Sequence, residues 1–248
     1  MKISAITVCW NAEKTIRHTI ASFLAQTHVD KEMLIVDGLS KDSTLDIVRS
    51  FNSPLIKIIS EKDKGIYDAM NKGLKLYTGD AVGLLNADDT YHDKHSLSLI
   101  AAALETAPVV TGGCNMVPDH VSGTIDRVWQ PSAFRPGAFA KGWMPPHPST
   151  YARREVYDAV GGFDTSYKIC ADYEWMIRVM EVQKFEVKVI DSILTHMMLG
   201  GMSTSGLKAS WVNLQETSRA RRQWLGAGPV DAAMVAKAMG KVKRLAFG

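Results

Sequence analysis

Hydrophobic and polar positions follow two periods in turn through the first half of the chain. Ile3 to Cys9 is a short apolar run rich in β-branched residues and predicts a buried strand. Ala12 to Gln26 follows, with Ile16, Ile20, Phe23 and Leu24 at helical spacing. Met33 to Val36 predicts a second strand ending at Asp37-Gly38, and Ser40 and Asp42 offer caps for a helix running to Ser50. Strands over Leu55 to Ile59, Ala81 to Leu85 and Val109 to Thr111 alternate with helices over Gly65 to Tyr77 and Lys94 to Thr106. This alternation predicts an α/β fold, a mostly parallel sheet flanked by helices. Ligands of such sheets gather at the carboxyl ends of the strands. Asn11, Asp37 and the run Asn86-Ala87-Asp88-Asp89 all stand at predicted strand ends and should converge.

The second half is less regular. Residues 118–136 read as a hairpin or long loop, and Trp143 to Tyr151, with Pro145, Pro146 and Pro148, as stiff extended chain. A helix is expected over Ala171 to Val182 and a strand over Phe185 to Ile190. Gly200 to Gly206 reads as a flexible loop, and helices over Ser210 to Leu225 and Asp231 to Phe247 complete the chain.

A length of 248 residues suits one large α/β domain, alone or with a small appendage. Hydrophobic residues at 46% and charged residues at 22% are ordinary for a soluble protein, and a net charge of +3 gives no reason to expect nucleic acid as a partner. Cys9, Cys114 and Cys170 are too few and too scattered for a disulfide framework, which points to a reducing cytoplasm. The chain enters a strand at once, with no basic-then-apolar leader, and no stretch approaches the roughly 20 apolar residues that span a bilayer.

The first chemical signal is Leu84-Leu85-Asn86-Ala87-Asp88-Asp89. Adjacent carboxylates after a buried strand are costly unless a cation neutralises them, and oxygen ligands of this kind suit Mg2+ or Mn2+ bound together with substrate phosphates. The plainer reading is a turn. The second signal is Asp37, a strand-end carboxylate placed to accept hydrogen bonds from a base or ribose. Ser40 and Asp42 beside it are explained by a capped helix start, but Asp37 is not. The third is Asp172, near the start of a helix, where the anion is favoured and a general base for a hydroxyl would fit. An N-cap is its plainer reading.

Taken together, these motifs resemble the family 2 glycosyltransferases of the GT-A fold. Ile6-Thr7-Val8-Cys9-Trp10-Asn11 is similar to that family's first strand and nucleotide-binding turn, and Ile35 to Thr44 to its second-strand motif. Asp63-Lys64-Gly65-Ile66-Tyr67-Asp68-Ala69-Met70-Asn71-Lys72-Gly73 resembles the segment before the metal motif. Gly161-Gly162-Phe163-Asp164, Ala171-Asp172-Tyr173-Glu174 and Arg178 resemble the acceptor-side motif. The resemblance covers roughly residues 1 to 205 and is specific because several motifs occur in order. It is nearest to bacterial exopolysaccharide, O-antigen and colanic-acid enzymes.

The resemblance implies a GT-A domain over residues 1–205, with a nucleotide-sugar half (1–112), an acceptor half (113–205) and a helical tail (206–248). It implies that Thr7, Val8, Asn11, Asp37, Lys64, Asp68, Asn86, Ala87 and Asp88 line the donor nucleotide, most simply a UDP-sugar. Asp88 would be the principal ligand of Mn2+ or Mg2+ and Asp89 the second, with His196 completing the shell. Asp172 would deprotonate the acceptor hydroxyl for direct displacement with inversion. The acceptor would be a glycan, free or carried on a polyprenyl diphosphate. Two positions depart from the family pattern: Asn86 replaces an Asp, removing one charge from the metal motif, and Ala171 replaces a Glu beside the base.

Softer features join these. His147 could face the donor diphosphate or acceptor, and Lys64 and Arg178 could meet phosphates. Trp10, Trp143 and Trp175 could stack on a sugar or base, and the Gly200 to Gly206 loop could close over the donor. Each also has an ordinary reading as loop, surface or core. The C-terminal end carries Arg219, Arg221, Arg222, Lys237, Lys241, Lys243 and Arg244 interleaved with apolar residues. That pattern suits contact with the inner face of the cytoplasmic membrane, or a solvated helix or dimer contact. Among rivals, a sugar nucleotidyltransferase would show a Gly-rich, Arg-containing loop after the first strand, and a nicotinamide oxidoreductase a G-x-G-x-x-G. Val8 to Glu13 contains no glycine. A nucleotide-sugar-binding protein without catalysis is the remaining alternative.

Overall fold

The computed structural model of the chain describes residues 1–201 and 206–228. Along them run β1 (Ile3–Cys9), α1 (Ile16–Leu24), β2 (Lys31–Asp37), α2 (Thr44–Ser50), β3 (Ile56–Ser60), α3 (Ile66–Leu76), β4 (Ala81–Leu84), β5 (Thr90–Tyr91) and α4 (Ser96–Leu104). Then come β6 (Val109–Val117), β7 (Arg127–Trp129), β8 (Tyr151–Arg153), α5 (Arg154–Val160), α6 (Ala171–Ile177), β9 (Val187–Met198) and α7 (Gly206–Leu225). The described strands form one sheet of order β3-β2-β1-β4-β8-β6-β9-β5, with β7 paired to β6.

β3, β2, β1 and β4 are parallel neighbours, so their carboxyl ends share one edge. β8 enters antiparallel between β4 and β6, and β9 runs parallel to β6. Helices cover both faces. Ile6, Val8, Leu34 and Val36 point into a core shared with α3, α5 and α6, whereas Ile3, Ala5, Met33 and Ile35 point into the α1 and α4 side. Two covered faces explain why β1 and β2 read as continuous apolar runs.

The predicted elements of the first half are present with ends shifted by a few residues. The second half differs more. β6 extends to Val117, well past Thr111, because it pairs with β9, β8 and β7. The segment expected to be extended around His147 contains a single 3-10 turn, His147–Ser149, before β8 and α5. α6 continues into a π-helical stretch, Arg178–Val182.

α7 packs on α6 and contributes to its core. Ala220 is fully buried, and the buried Arg221 donates to the Phe139 and Ala140 carbonyls. Arg219 lies over the Tyr167 ring at 4.2 Å and donates to Ser166 Oγ. Two of the cations counted in the basic end therefore serve packing. The helix expected over Asp231 to Phe247, with Lys237, Lys241, Lys243 and Arg244, lies outside the described residues, as do residues 202–205 of the glycine loop. Among the described residues no helix is long and apolar enough to cross a membrane.

Candidate active site

The chain turns sharply after β1. Asn11 adopts φ 51°, and its side-chain oxygen accepts from Lys41 N at 2.8 Å while its own N–H donates to Ser40 Oγ. Ala12 N bonds Thr44 Oγ1, and Glu13 exchanges bonds with Asp42 and Ser43. The loops following β1 and β2 are thus tied into one ledge. Trp10 stands out from it, 66% exposed. Thr7 and Val8 lie beneath, within the strand, and the Thr7 hydroxyl is buried without a partner among the described residues.

Asp37 closes β2 from within. It is fully enclosed; Ser40 N approaches both carboxylate oxygens at 3.2 Å, and Ser60 Oγ donates at 2.7 Å. Asp63, after β3, is only half-buried, with one oxygen accepting from Gly65 N at 2.8 Å. Lys64 is exposed, and its N–H is taken by Asp68 in the first turn of α3.

β4 leads into the turn of Asn86 to Asp89, where the two carboxylates differ. Asp89 is buried and accepts from Asn86 Nδ2 at 3.0 Å on one oxygen and from Met198 N at 3.2 Å on the other. Asp88 is half-buried, and among the described residues its carboxylate is eased only by its own backbone N–H and the His120 charge, with no side-chain hydrogen bond or ion pair. Burial raises the pKa of both; for Asp89 the neighbouring Asp88 charge raises it further. The Asn86 side-chain oxygen is buried and unpaired, and Ala87 is buried in the turn. An unshared carboxylate that burial makes costly, beside an unpaired amide oxygen, is a donor set that suits a hard divalent cation. Among the described residues no three His, Cys, Asp or Glu side chains form a metal-holding group. A cation at Asp88 would therefore complete its shell with phosphate and water.

His196 stacks on His92, with 2.7 Å between Nε2 and His92 Nδ1, so that nitrogen is already engaged. Burial and the two neighbouring imidazoles lower its pKa. His120, which no motif pointed to, has its Nε2 2.7 Å from the Asp88 carbonyl oxygen and ties the β6–β7 loop to the carboxylate turn.

Asp172 reaches the same edge of the sheet. Asp172 lies in the first turn of α6, and Tyr67 at the start of α3 donates to its Oδ1 at 3.2 Å and to the Ile169 carbonyl at 2.5 Å. His147 packs edge-on against Phe163 near Asp172. Burial lowers its pKa and favours the neutral ring, with the Asp172 charge acting the other way. Glu216 of α7 braces the same loop: its carboxylate accepts from the N–H groups of Lys168, Ile169 and Cys170 at 2.7, 2.9 and 3.0 Å. Arg178 is occupied by Glu174 at 2.8 Å and by the Val160 and Gly162 carbonyls, and Trp224 Nε1 also donates to Glu174. Trp175 is core, stacked on Tyr157, and Trp143 packs on Phe139. Of the three tryptophans only Trp10 faces solvent at the strand ends. Tyr67 lay inside a motif already singled out, whereas Glu216 gave no local signal, because its partners are 46 to 48 residues away.

A glycosyl transferase family 2 model matches residues 4–179. A PGL/p-HBAD biosynthesis glycosyltransferase of Mycobacterium tuberculosis is 30% identical over 179 residues, covering 68% of this chain and 65% of that protein, so the chain matches just under two thirds of that relative's length. An uncharacterized glycosyltransferase of Nostoc is 32% identical over 187 residues, covering 69% of this chain and 57% of the relative. Among solved structures, Staphylococcus aureus TarS residues 1–349 with UDP-GlcNAc superposes with a TM-score of 0.68 at 20% identity, covering 90% of this chain and 67% of that fragment. The mannosyltransferase PcManGT of Pyrobaculum calidifontis, in complex with GDP-Man and Mn2+, gives 0.67 at 18%, covering 96% and 69%. The structural likeness shows the fold, GT-A, and the family model spans β1 through α6, with the ends of β1 to β4 inside it: the chain belongs to glycosyl transferase family 2.

Proposed function

We propose that the chain transfers a sugar from a nucleotide diphosphate donor, a UDP-sugar, to a hydroxyl of a glycan or polyprenyl-diphosphate-linked glycan during the building of a bacterial surface polysaccharide. The reading rests on one observation above all: Tyr67, at the start of α3 just past the end of β3, donates to Asp172, which holds that carboxylate on the side of the sheet where the parallel strands end. That neighbourhood supports reading Asp172 as the base that serves a donor bound at those strand ends.

Each residue has a task in this reading. The ledge of Asn11 to Thr44 and the end of β3 hold the nucleoside, Trp10 offers a face for stacking, and Lys64 meets the phosphates. Thr7, Val8, Asp37, Asp68 and Ala87 shape this surface from beneath. Asp88, with Asn86 beside it, holds Mn2+ or Mg2+, and Asp89 fixes the turn that aims Asp88. A bound divalent ion neutralises the charge that builds on the departing diphosphate. His196, on β9 beside that turn and paired with His92, is the further candidate for the metal shell. Asp172 takes the proton of the acceptor hydroxyl as its oxygen attacks the anomeric carbon from the face opposite the diphosphate, so the configuration inverts. The enzyme works on the cytoplasmic side of the membrane, with the C-terminal end as the segment that could touch it.

The test is UDP release from a panel of UDP-sugars with acceptor or water, by wild type and Asp172→Asn. Release that needs Mn2+ or Mg2+ and falls roughly 10²-fold or more in the variant supports the reading. Undiminished release in excess chelator would remove the metal, and undiminished release by the variant would move the base elsewhere.

A further inference from the structure

Asp37 and Asp63 stand at adjacent strand ends, yet only one can meet a nucleobase. Asp37 is fully enclosed, and its oxygens already accept from Ser40 N, Ser60 Oγ and, at 3.8 Å, Cys9 Sγ. Asp63 is fixed through one oxygen by Gly65 N, and its other oxygen has no donor among the described residues. That free oxygen lies over Gly38: a Cβ added there would sit 2.4 Å from Asp63 Oδ2 and 3.7 Å from the Cys9 carbonyl. Glycine at 38 is therefore what lets the carboxylate settle onto the ends of β1 and β2. The β1–β2 register pairs Cys9 with Asp37, so Trp10 and Gly38 follow side by side, and Leu39, at φ 63° and 48% exposed, comes next.

We propose that Asp63 is the residue that reads the base, with Trp10 and Leu39 beside it, and that it selects uridine. The proposal rests on the reading that these strand ends hold the donor nucleotide. A carboxylate only accepts hydrogen bonds. A single free oxygen matches the one ring N–H of uracil. Cytosine presents a bare acceptor nitrogen at that position, and guanine offers two donors that call for both carboxylate oxygens. Asp37 holds the floor and makes no contact with the base.

Titration calorimetry with UDP, CDP and GDP in Mn2+ tests this on the full chain. Wild type is expected to bind UDP at least roughly 10-fold more tightly than CDP or GDP, because pairing CDP would leave two acceptors facing each other. Asp63→Asn is expected to lose that preference and gain CDP, since its amide can donate to the cytosine nitrogen. Asp63→Glu is expected to weaken UDP without gaining CDP. Asp37→Asn is expected to lower the Tm and weaken all three nucleotides alike. An unchanged UDP:CDP ratio in Asp63→Asn, a ratio that moves in Asp37→Asn instead, or a wild-type preference for CDP or GDP would overturn the proposal while leaving a donor site in place. Wild type that binds no nucleotide would overturn the donor-site reading itself, and this proposal with it.

Discussion

The Tyr67 hydroxyl donates to Asp172 across 105 residues of sequence and shares its proton with the Ile169 carbonyl two residues before α6 begins. One side chain thus sets both the carboxylate and the loop that delivers it. Tyr67→Phe is expected to lower turnover roughly 10-fold through misorientation of Asp172, and to cost about 1–2 kcal/mol because the part-buried Ile169 carbonyl loses its donor. The nucleotide Kd should stay at the wild-type value. Calorimetry and steady-state rates on the same preparation check both halves.

Glu216 braces that loop from the opposite side, and three N–H groups converging on one carboxylate are charge-assisted bonds. Glu216→Ala leaves all three without their acceptor. A loss of about 1–2 kcal/mol is expected, a fall in Tm of roughly 2–6 °C. Amide exchange at Lys168, Ile169 and Cys170 should rise at least roughly 10-fold, faster than at β1. Hydrogen-exchange mass spectrometry of the peptide over 164–173 measures it.

The unshared, partly buried charge of Asp88 destabilises the metal-free protein. Asp88→Asn is therefore expected to raise the Tm in chelator by a few degrees, roughly 1 kcal/mol in stability, and to abolish any stabilisation by Mn2+ with nucleotide. Thermal melts with and without Mn2+ separate the two effects.

Glu32 carries a pH dependence of the opposite kind. Burial alone would raise its pKa, but the Thr78 N–H, Lys57, Ser4 and the Thr78 hydroxyl together hold it well below the usual carboxylate range. A depressed folded-state pKa means the unfolded chain binds the proton first as pH falls. The contribution of Glu32 is thus complete above its unfolded value of about 4.5 and is lost progressively as pH falls from there through the depressed folded-state value. Glu32→Gln should cost about 3 kcal/mol at pH 7 and less at pH 3, where part of the contribution is already lost. Urea titrations at the two pH values give the difference.

How far the sequence discloses this molecule depends on the range of the forces involved. β1 to β4 and α1 to α3 are legible because strand and helix periods are local, and Asp88 and Asp172 because each stands at an element end inside a motif. β8 is three residues long and has no period to read; it forms because β4 and β6 flank it. The two glycines at 112 and 113 hide the continuation of β6, where the register with β9 shifts. Accessibility is the other hidden quantity. A carboxylate at the tip of β2 looks available in sequence; that Ser40 and Ser60 surround Asp37 while Gly38 admits Asp63 follows from folded geometry alone.

The family match ends at residue 179, yet the loop before Asp172 leans on Glu216, and Glu174 on Trp224. The scaffold around Asp172 is thus split between a segment inside the family match and a helix beyond it. Variation in α7 can reshape the loop before Asp172 without touching the ledge after β1 and β2. Conversely, grafting the stretch 161–178 from a relative would carry over its side chains but leave their brace behind, so the two segments form one heritable module despite lying apart in the chain.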